Sequence, residues 1–509
     1  MGLKERLTAI GILAVMAGLV FLIAGSGMEI SVKNEPIVAE GKDTLYLWYT
    51  DEALTNYLNG AAVTYNETHD VRIVPVLESG LEYLETINKA SVEANEPDMY
   101  IISHDSLEKA YLAGLAEEVM PSEGTVMEET YMGTGLKAVT YKDKLIGYPF
   151  YFETSSVIYN KTYLEDMAKK QIEAEADLEK AQEAEAELKE NGPEKGVDEG
   201  MPDIPEESTE DASYEMTEEE KQEVSERMQE LLPASIEDIK VLADSYDAPE
   251  QVEGVFKWDV TDVFYNYFFV GNAINMGGEA GWDISQIDIY NEDAIESMRA
   301  YADLNQFFSI DTNEISYEKI IDDFIAGKYV FAVATTDAVP KLEQAKEDGL
   351  FAYEYGVIQT PDINEKIQSK SLSMTTCVAI NGYGEHKEAA NDFARFLTSE
   401  YNNILYARSG KVSAAKNVDY GYEALQVFAQ EYENSVPMPK MIETSNFWVQ
   451  LEIVFSQVWD GADANQKLKE LSEQIMYQVT GREYTEEYIA EPVEETEEET
   501  SQETEKTEE

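Results

Sequence analysis

The stretch TYKDKLIGYPFYFETSSVIYNKTYL, Thr140–Leu164, decides the fold. Its start reads as a short hairpin. A long extended run follows, aromatic before a small polar centre at Glu153–Ser156 and β-branched after it. Aromatic and β-branched residues favour the pleated strand surface. An extended segment of this length, with small polar residues at its middle, suits a crossing between two lobes, and that centre suits a hinge.

Upstream, three apolar runs read as strands: TLYLWYT (Thr44–Thr50), VRIVPVL (Val71–Leu77) and DMYIIS (Asp98–Ser103). Helical patterns separate them, so the order is strand–helix–strand–helix, the signature of a parallel α/β sheet. Ligands of such sheets bind beyond the carboxyl ends of the strands. Asp51 and Asp105 both fall just past a strand end. Downstream, YVFAVATTDAV (Tyr329–Val339), GVIQTP and TTCVAI read as further strands. HKEAANDFARFLTS, NFWVQLEIVFSQVW and DANQKLKELSEQIMYQV read as amphipathic helices.

Between these parts the chain changes character. Residues 165–232 carry 25 acids against 7 bases. Leu164, Met167, Ala174, Leu178, Ala181 and Leu188 recur at near-heptad spacing, predicting a long, weakly amphipathic helix of coiled-coil type. Residues 191–216 are rich in Gly, Pro, Glu and Ser and read as disordered. Thr217 and Glu220 then form a capping-box pattern ahead of Val224, Met228 and Leu231. The expectation is an acidic helical hairpin, which is either a docking arm or a solvated insertion without a partner. Residues 483–509, with 13 acids and one base, read as a disordered acidic tail.

The N-terminus places Lys4 and Arg6 before AIGILAVMAGLVFLIAG, Ala9–Gly25. Basic residues ahead of such a run mark an export signal, and the length is close to a short membrane span. Residues 1–27 are expected to be a signal or anchor helix. It either tethers the protein to the extracellular face of the cell membrane or releases it after cleavage, with 28–43 as tether.

The net charge of −66 excludes nucleic acid as a partner, because nothing neutralises phosphates. The single cysteine, Cys377, excludes an intrachain disulfide and a multi-thiolate metal site, and reads as a small buried hydrophobe. There is no phosphate loop, no nucleophile elbow and no histidine pair at metal-binding spacing. His104 and Asp105 are adjacent, and neighbours on an extended strand point to opposite faces, which disfavours a catalytic pair. The sequence therefore predicts no enzyme, no cofactor and no metal. Carboxylates and aromatic rings at loop positions remain: Tyr49, Asp51, Asp105, Glu153, Tyr265 and Trp448. Hydroxyls donate to carboxylates, and the apolar face of a pyranose packs on a ring, so this set suits a sugar. Each has a plainer reading as well. Asp51 caps a helix, Glu153 holds a hinge, and Tyr265 and Trp448 pack in a core.

At this point the chain resembles a family. LYLWYTDE, PDMYIISHDSLEKAYLAGLAEEV, YKDKLIGYPFYFETSSVIYNKTYLED, PASIEDI, FIAGKYVFAVAT, AANDFARFLTS and MPKMIETSNFWVQLEIVFSQVW occur in the order found in extracellular solute-binding proteins of bacterial ABC importers, of the maltose- and maltodextrin-binding type. The resemblance implies a two-lobed periplasmic-binding-protein-like α/β fold with a hinge, carrying the acidic insertion. The N-terminal lobe would take 43–150 and 358–402, and the C-terminal lobe 151–357 and 403–482. It implies that Asp51, Asp105 and Glu153 bind sugar hydroxyls and that Trp448 and Tyr265 stack on sugar rings. Asp337 stands near the place of an aromatic that is missing from ATTDAV. Ile102 and Ser106 depart from the family pattern around the His–Asp pair. The implied function is that of a monomeric binding component that captures an oligosaccharide, such as a maltooligosaccharide, in an interlobe cleft and delivers it to permease subunits. Two other readings stay open: a transport-deficient homologue that acts as a sensor or assembly factor through its acidic insertion, or a binder of a non-sugar solute such as a peptide or polyamine.

Overall fold

The crossing stretch folds as one strand of 13 residues, and the rest of the chain is arranged around it. The computed structural model describes residues 42–191 and 216–490, apart from 123, 309 and 445. The expected membrane segment lies outside these residues, and among the described residues no helix is long and apolar enough to cross a membrane.

In chain order, β1 (Asp43–Tyr49), β2 (Val71–Leu77) and β3 (Met99–Ser103) alternate with α1 (Thr55–Thr68) and α2 (Tyr83–Val92), and α3 (Leu107–Leu112) follows. Then come α4 (Gly133–Val139), the hairpin β4 (Thr140–Tyr141) and β5 (Lys144–Leu145), and β6 (Tyr148–Asn160). The hairpin turn puts Lys142 and Asp143 at φ 47° and 63°. Two consecutive positive φ angles match the right-handed twist of the flanking strands, although neither residue is the usual Asn or Gly.

The insertion supplies α5 (Lys161–Asn191) and α6 (Glu218–Glu230). A second group follows: β7 (Gly254–Lys257), α7 (Val263–Asn266), the hairpin β8 (Asn275–Met276) and β9 (Ile287–Asp288), α8 (Glu292–Phe308), α9 (Tyr317–Ile325), β10 (Tyr329–Thr335), α10 (Ala338–Glu347) and β11 (Tyr355–Ile358). The chain ends with β12 (Leu372–Ile380), α11 (Leu405–Ser409), β13 (Val412–Ser413), α12 (Glu423–Asn434), β14 (Val436–Pro437), α13 (Phe447–Trp459) and α14 (Ala464–Thr480).

One sheet runs in the order β2-β1-β3-β12-β6-β10-β7. β1 and β3 are parallel, with Leu47 opposite Met99, and β12 runs antiparallel to β3, with Val378 opposite Ile101. β6 divides between two neighbourhoods. Its first part, Tyr148–Thr154, pairs with β12. Its second part, Ser155–Asn160, pairs with β10 and β11. Twelve of its 13 residues are buried, and Glu153 alone is half-buried. The crossing therefore falls between Thr154 and Ser155, where small side chains let two packed layers meet.

The expected lobe boundary at 402/403 is not where the chain crosses. β13 pairs with the first part of β6, Val412 opposite Phe152, and α11 packs on α1. β14 pairs with β12, and Tyr432 of α12 stacks on Phe152 at 4.0 Å. Residues 405–437 thus belong with the first half of the sheet, and the chain returns to the second half only over Met438–Asn446, before α13 packs on α8 and α14. A short strand edge and isolated aromatics carry no signal of which sheet they join.

The insertion is a helical pair. α5 continues from β6 without a break, four residues earlier than 165. Arg227 of α6 makes a two-pronged ion pair with Glu175 of α5, at 2.9 and 2.8 Å. Val224 and Met228 of α6 are buried, and the Thr217–Glu220 capping box forms in both directions. The 191–216 stretch, read as disordered, falls almost wholly outside the described residues.

The start of the expected tail is a correction. Residues 483–490 dock on α14 and on Tyr290, just ahead of α8. Ser472 donates to Glu486 at 2.6 Å, the Glu486 N–H donates to Glu473 at 3.0 Å, and the Ile489 N–H donates to Tyr290 Oη at 3.0 Å. Asn465 Nδ2 donates to the Ile489 carbonyl at 2.8 Å. Acidic composition hid an ordered strap in which the Glu486 carboxylate accepts from Ser472. Residues 491–509 lie outside the described residues.

Candidate solute-binding cleft

A cleft of about 630 Å³ opens where β6 crosses, and both halves of the sheet supply its walls. Glu153, Met374, Ser409, Gly410 and Lys411 come from the first half. Asp262, Phe264, Tyr265, Tyr317, Thr335, Asp337, Pro340 and Lys341 come from the second.

Glu153 sits opposite Met374 in the β6–β12 register, at the one position where β6 turns a side chain into the cleft. Its Oε1 accepts from Thr336 Oγ1 at 2.7 Å, and Oε2 bonds no described residue. Burial raises its carboxyl above the usual range, against the opposing pull of the Thr336 bond and the Lys411 ammonium. Asp262 caps α7 by accepting from the Phe264 N–H at 2.7 Å, and burial raises it too.

Each half also brings a lysine–aspartate pair with the ammonium over a tyrosine ring. In the first half, Lys411 pairs with Asp51 at 2.9 Å and lies 5.2 Å from the Tyr151 centroid. Burial pulls Lys411 down, but Tyr151, Asp51 and Glu153 outweigh it, so its ammonium is held above the ordinary range. In the second half, Lys341 pairs with Asp337 at 2.6 Å and lies 5.2 Å from the Tyr317 centroid. Tyr317 donates to Asp337 Oδ1 at 2.6 Å, and Thr335 donates to the same oxygen. Burial raises Asp337, yet these bonds and Lys341 outweigh it and hold it ionised.

The sequence-predicted residues divide accordingly. Glu153, Tyr265 and Asp337 line the cleft, and Asp51 stands behind Lys411. Tyr265 stacks on Tyr317 at 4.8 Å and 14°, so one ring face is already covered. Asp337 already accepts from three partners, so its position favours bracing the wall over receiving a solute. Tyr49 does not reach the cleft: it is 2% exposed and donates to Thr55 at 3.0 Å. Asp105 is half-buried beside β3. Its Oδ1 is enclosed with no hydrogen-bond partner among the described residues, and it is not part of this wall. Trp448 is half-buried at the start of α13, edge-on to Tyr267 at 5.5 Å, and is also outside the wall. His104 is fully buried. Nε2 lies 2.7 Å from the Met438 carbonyl, and the Thr375 N–H reaches Nδ1 at 3.0 Å, which fits the Nε2-protonated tautomer. Cys377 is fully buried too, and its thiol contacts the Ile102 carbonyl at 3.3 Å.

Sequence reasoning missed Lys341, Lys411, Tyr317, Asp262 and Phe264. Asp262 and Tyr317 stand at helix starts, which cap patterns could have located. Lys411 sits between the Gly410 cap of α11 and β13, and no residue pattern marked its side chain as facing the cleft.

Residues 60–421 match the family model described as bacterial extracellular solute-binding protein. The chain belongs to that family, a family of binding proteins. No curated protein matches it. Among solved structures it is similar to the extracellular solute-binding protein of Staphylococcus aureus in complex with maltose, with TM-score 0.65 and 17% identity over 86% of this chain and 98% of that one. It is similar to a cyclo/maltodextrin-binding protein complexed with maltotetraose, at TM-score 0.65 and 17% identity over 88% and 100% of the two chains. The maltose-binding periplasmic protein of Listeria monocytogenes, in complex with maltose, gives TM-score 0.63 and 19% identity over 87% and 100%. These likenesses show the fold, the two-lobed architecture of solute-binding proteins.

Proposed function

We propose that this protein is the substrate-binding component of an ABC importer, that it captures an oligosaccharide of the maltooligosaccharide class in the cleft, and that it delivers the sugar to permease subunits. The observation that carries this reading is the cleft wall. Glu153 and Asp262 each offer a carboxylate oxygen that no described residue bonds, beside Phe264 and Tyr265 rings. Carboxylates accept from sugar hydroxyls, and rings pack on the C–H face of a pyranose. The maltose and maltodextrin ligands of the similar structures favour an α-glucan. Closure of the lobes would bring Asp105 and Trp448 towards the sugar, as the family resemblance implies. The N-terminal apolar segment would hold the protein on the extracellular face.

Titration calorimetry against maltose through maltoheptaose tests the reading. The expected result is saturable binding that Glu153→Gln weakens about tenfold or more, because the loss of a charge-assisted bond costs about 1.5–3 kcal/mol. Absence of heat with every saccharide overturns the sugar assignment.

A further inference from the structure

A second set of contacts joins the two halves away from the cleft. The loop Gly277–Trp282, between β8 and β9, leaves the second half and lies on the first. Trp282 packs edge-on to Tyr141, 5.9 Å between centroids at 68°, against the apolar cluster of the first half. Glu279 pairs with Lys137 of α4 at 2.9 Å. The returning segment Met438–Met441 is threaded between them. The Lys440 N–H donates to the Gly281 carbonyl at 2.9 Å. The Lys440 side chain is 1% exposed, and its ammonium reaches the Ala280 carbonyl of the loop and, at 3.4 Å, the Lys137 carbonyl of α4. Gly281 has φ +63°, and a Cβ there would lie 2.7 Å from Pro439 Cα, so only glycine permits this approach. None of these residues lines the cleft.

We propose that the Gly277–Trp282 loop and buried Lys440 form a latch between the lobes, outside the solute cleft, that sets its resting opening and hence its affinity. A lysine buried without a carboxylate in hydrogen-bond contact is costly to keep charged. Separating the loop from Pro439–Met441 would hydrate the ammonium. Protonation therefore favours the released state and deprotonation the latched one. The groups around Lys440 are His104 beside β3, Glu108 of α3, Cys377 of β12, Lys137 of α4 and Glu279 of the loop itself. Glu108 spends one oxygen on the Ile442 N–H, at 2.8 Å. Burial pushes the Lys440 ammonium down to about 7, so the latch strengthens as pH rises from there towards the ordinary value of 10.5.

The affinity consequence rests on the solute-binding reading, whereas lobe separation can be measured without any solute. Leu81 and Leu350 are 84% and 71% exposed, one in each half, and the one native thiol is fully buried. Spin labels at Leu81→Cys and Leu350→Cys give the interlobe distance distribution by pulsed electron resonance. Trp282→Ala is expected to shift and broaden that distribution, and raising the pH from 6.5 to 9 to narrow it in the parent but not in Lys440→Met. Unchanged distributions in Trp282→Ala overturn the latch. Should Trp282→Ala fail to fold, Glu279→Ala, whose side chain is 81% exposed, asks the same question of the Lys137 pair and is read the same way. A latch that responds while no saccharide binds leaves this inference standing and removes the sugar.

Discussion

Replacing Lys440 with Met should change how stability depends on pH more clearly than it changes stability itself. Burial holds the folded-state ammonium down to about 7, against an ordinary value of 10.5. Between those values the unfolded chain keeps a proton that the folded chain has released. Stability contributed by this group therefore rises with pH across the window, by about 1.4 kcal/mol per unit where one full proton separates the states. From pH 7.5 to 9.5 that amounts to roughly 2–3 kcal/mol. The buried Cys377 thiol, which burial pushes up, works in the opposite sense at alkaline pH, as do the buried tyrosines. These groups are common to parent and variant, so the difference between the two isolates Lys440. Met leaves the Ala280 and Lys137 carbonyls short of a donor, at about 1–3 kcal/mol for an unsatisfied buried group. The same substitution removes the cost of a buried charge, so the absolute change is small while the slope is not. Urea unfolding at pH 7.5, 8.5 and 9.5, followed by tryptophan fluorescence, gives both profiles. The parent should gain on the variant by about 1 kcal/mol or more per pH unit. Parallel profiles would refute the buried, neutral lysine and the pH dependence built on it.

Three further outcomes are expected. His104 is held down to about 4, chiefly by burial, so its contribution is intact above 6.5 and is lost as pH falls towards 4. His104→Gln should flatten acid unfolding over that window by up to about 3 kcal/mol. Gly356→Ala would place a Cβ 2.3 Å from the ring of Tyr159, itself 6% exposed, and should cost about 2–4 kcal/mol, read as a lowered Tm. Arg227→Ala removes a pair whose arginine side chain is 31% exposed and whose glutamate is 57% exposed. Its cost is about 0.3–1 kcal/mol, so amide exchange should quicken in α6 while the global Tm stays put.

Much of the fold was legible because it rests on local patterns. β1 to β3 and their intervening helices follow from alternating apolar runs, and the capping box at Thr217 formed as read. The acidic insertion emerged as a helical pair because its apolar positions recur at helical spacing. The cleft was legible in part. Glu153 stood out as the one acid in an apolar strand, and Asp337 as the acid where an aromatic was expected. Tyr49, also placed at a strand end, proved buried, since the end of a strand fixes position along the sheet but not which face a side chain takes.

The sequence alone determined the elements, the crossing strand and the placement of carboxylates and rings such as Glu153 and Tyr265 that the cleft wall contains, because these depend on residue type and short-range periodicity. Tertiary structure decided which sheet β13 and β14 joined, that residues 483–490 form a strap, and that Lys411 and Lys341 face one cleft from opposite halves. It also decided that Lys440 is buried between two carbonyls more than 140 residues apart along the chain, at Lys137 and Ala280. Such juxtapositions arise from chain crossings at the hinge. No local pattern encodes them, because the partners are set by how the two halves of the sheet share β6.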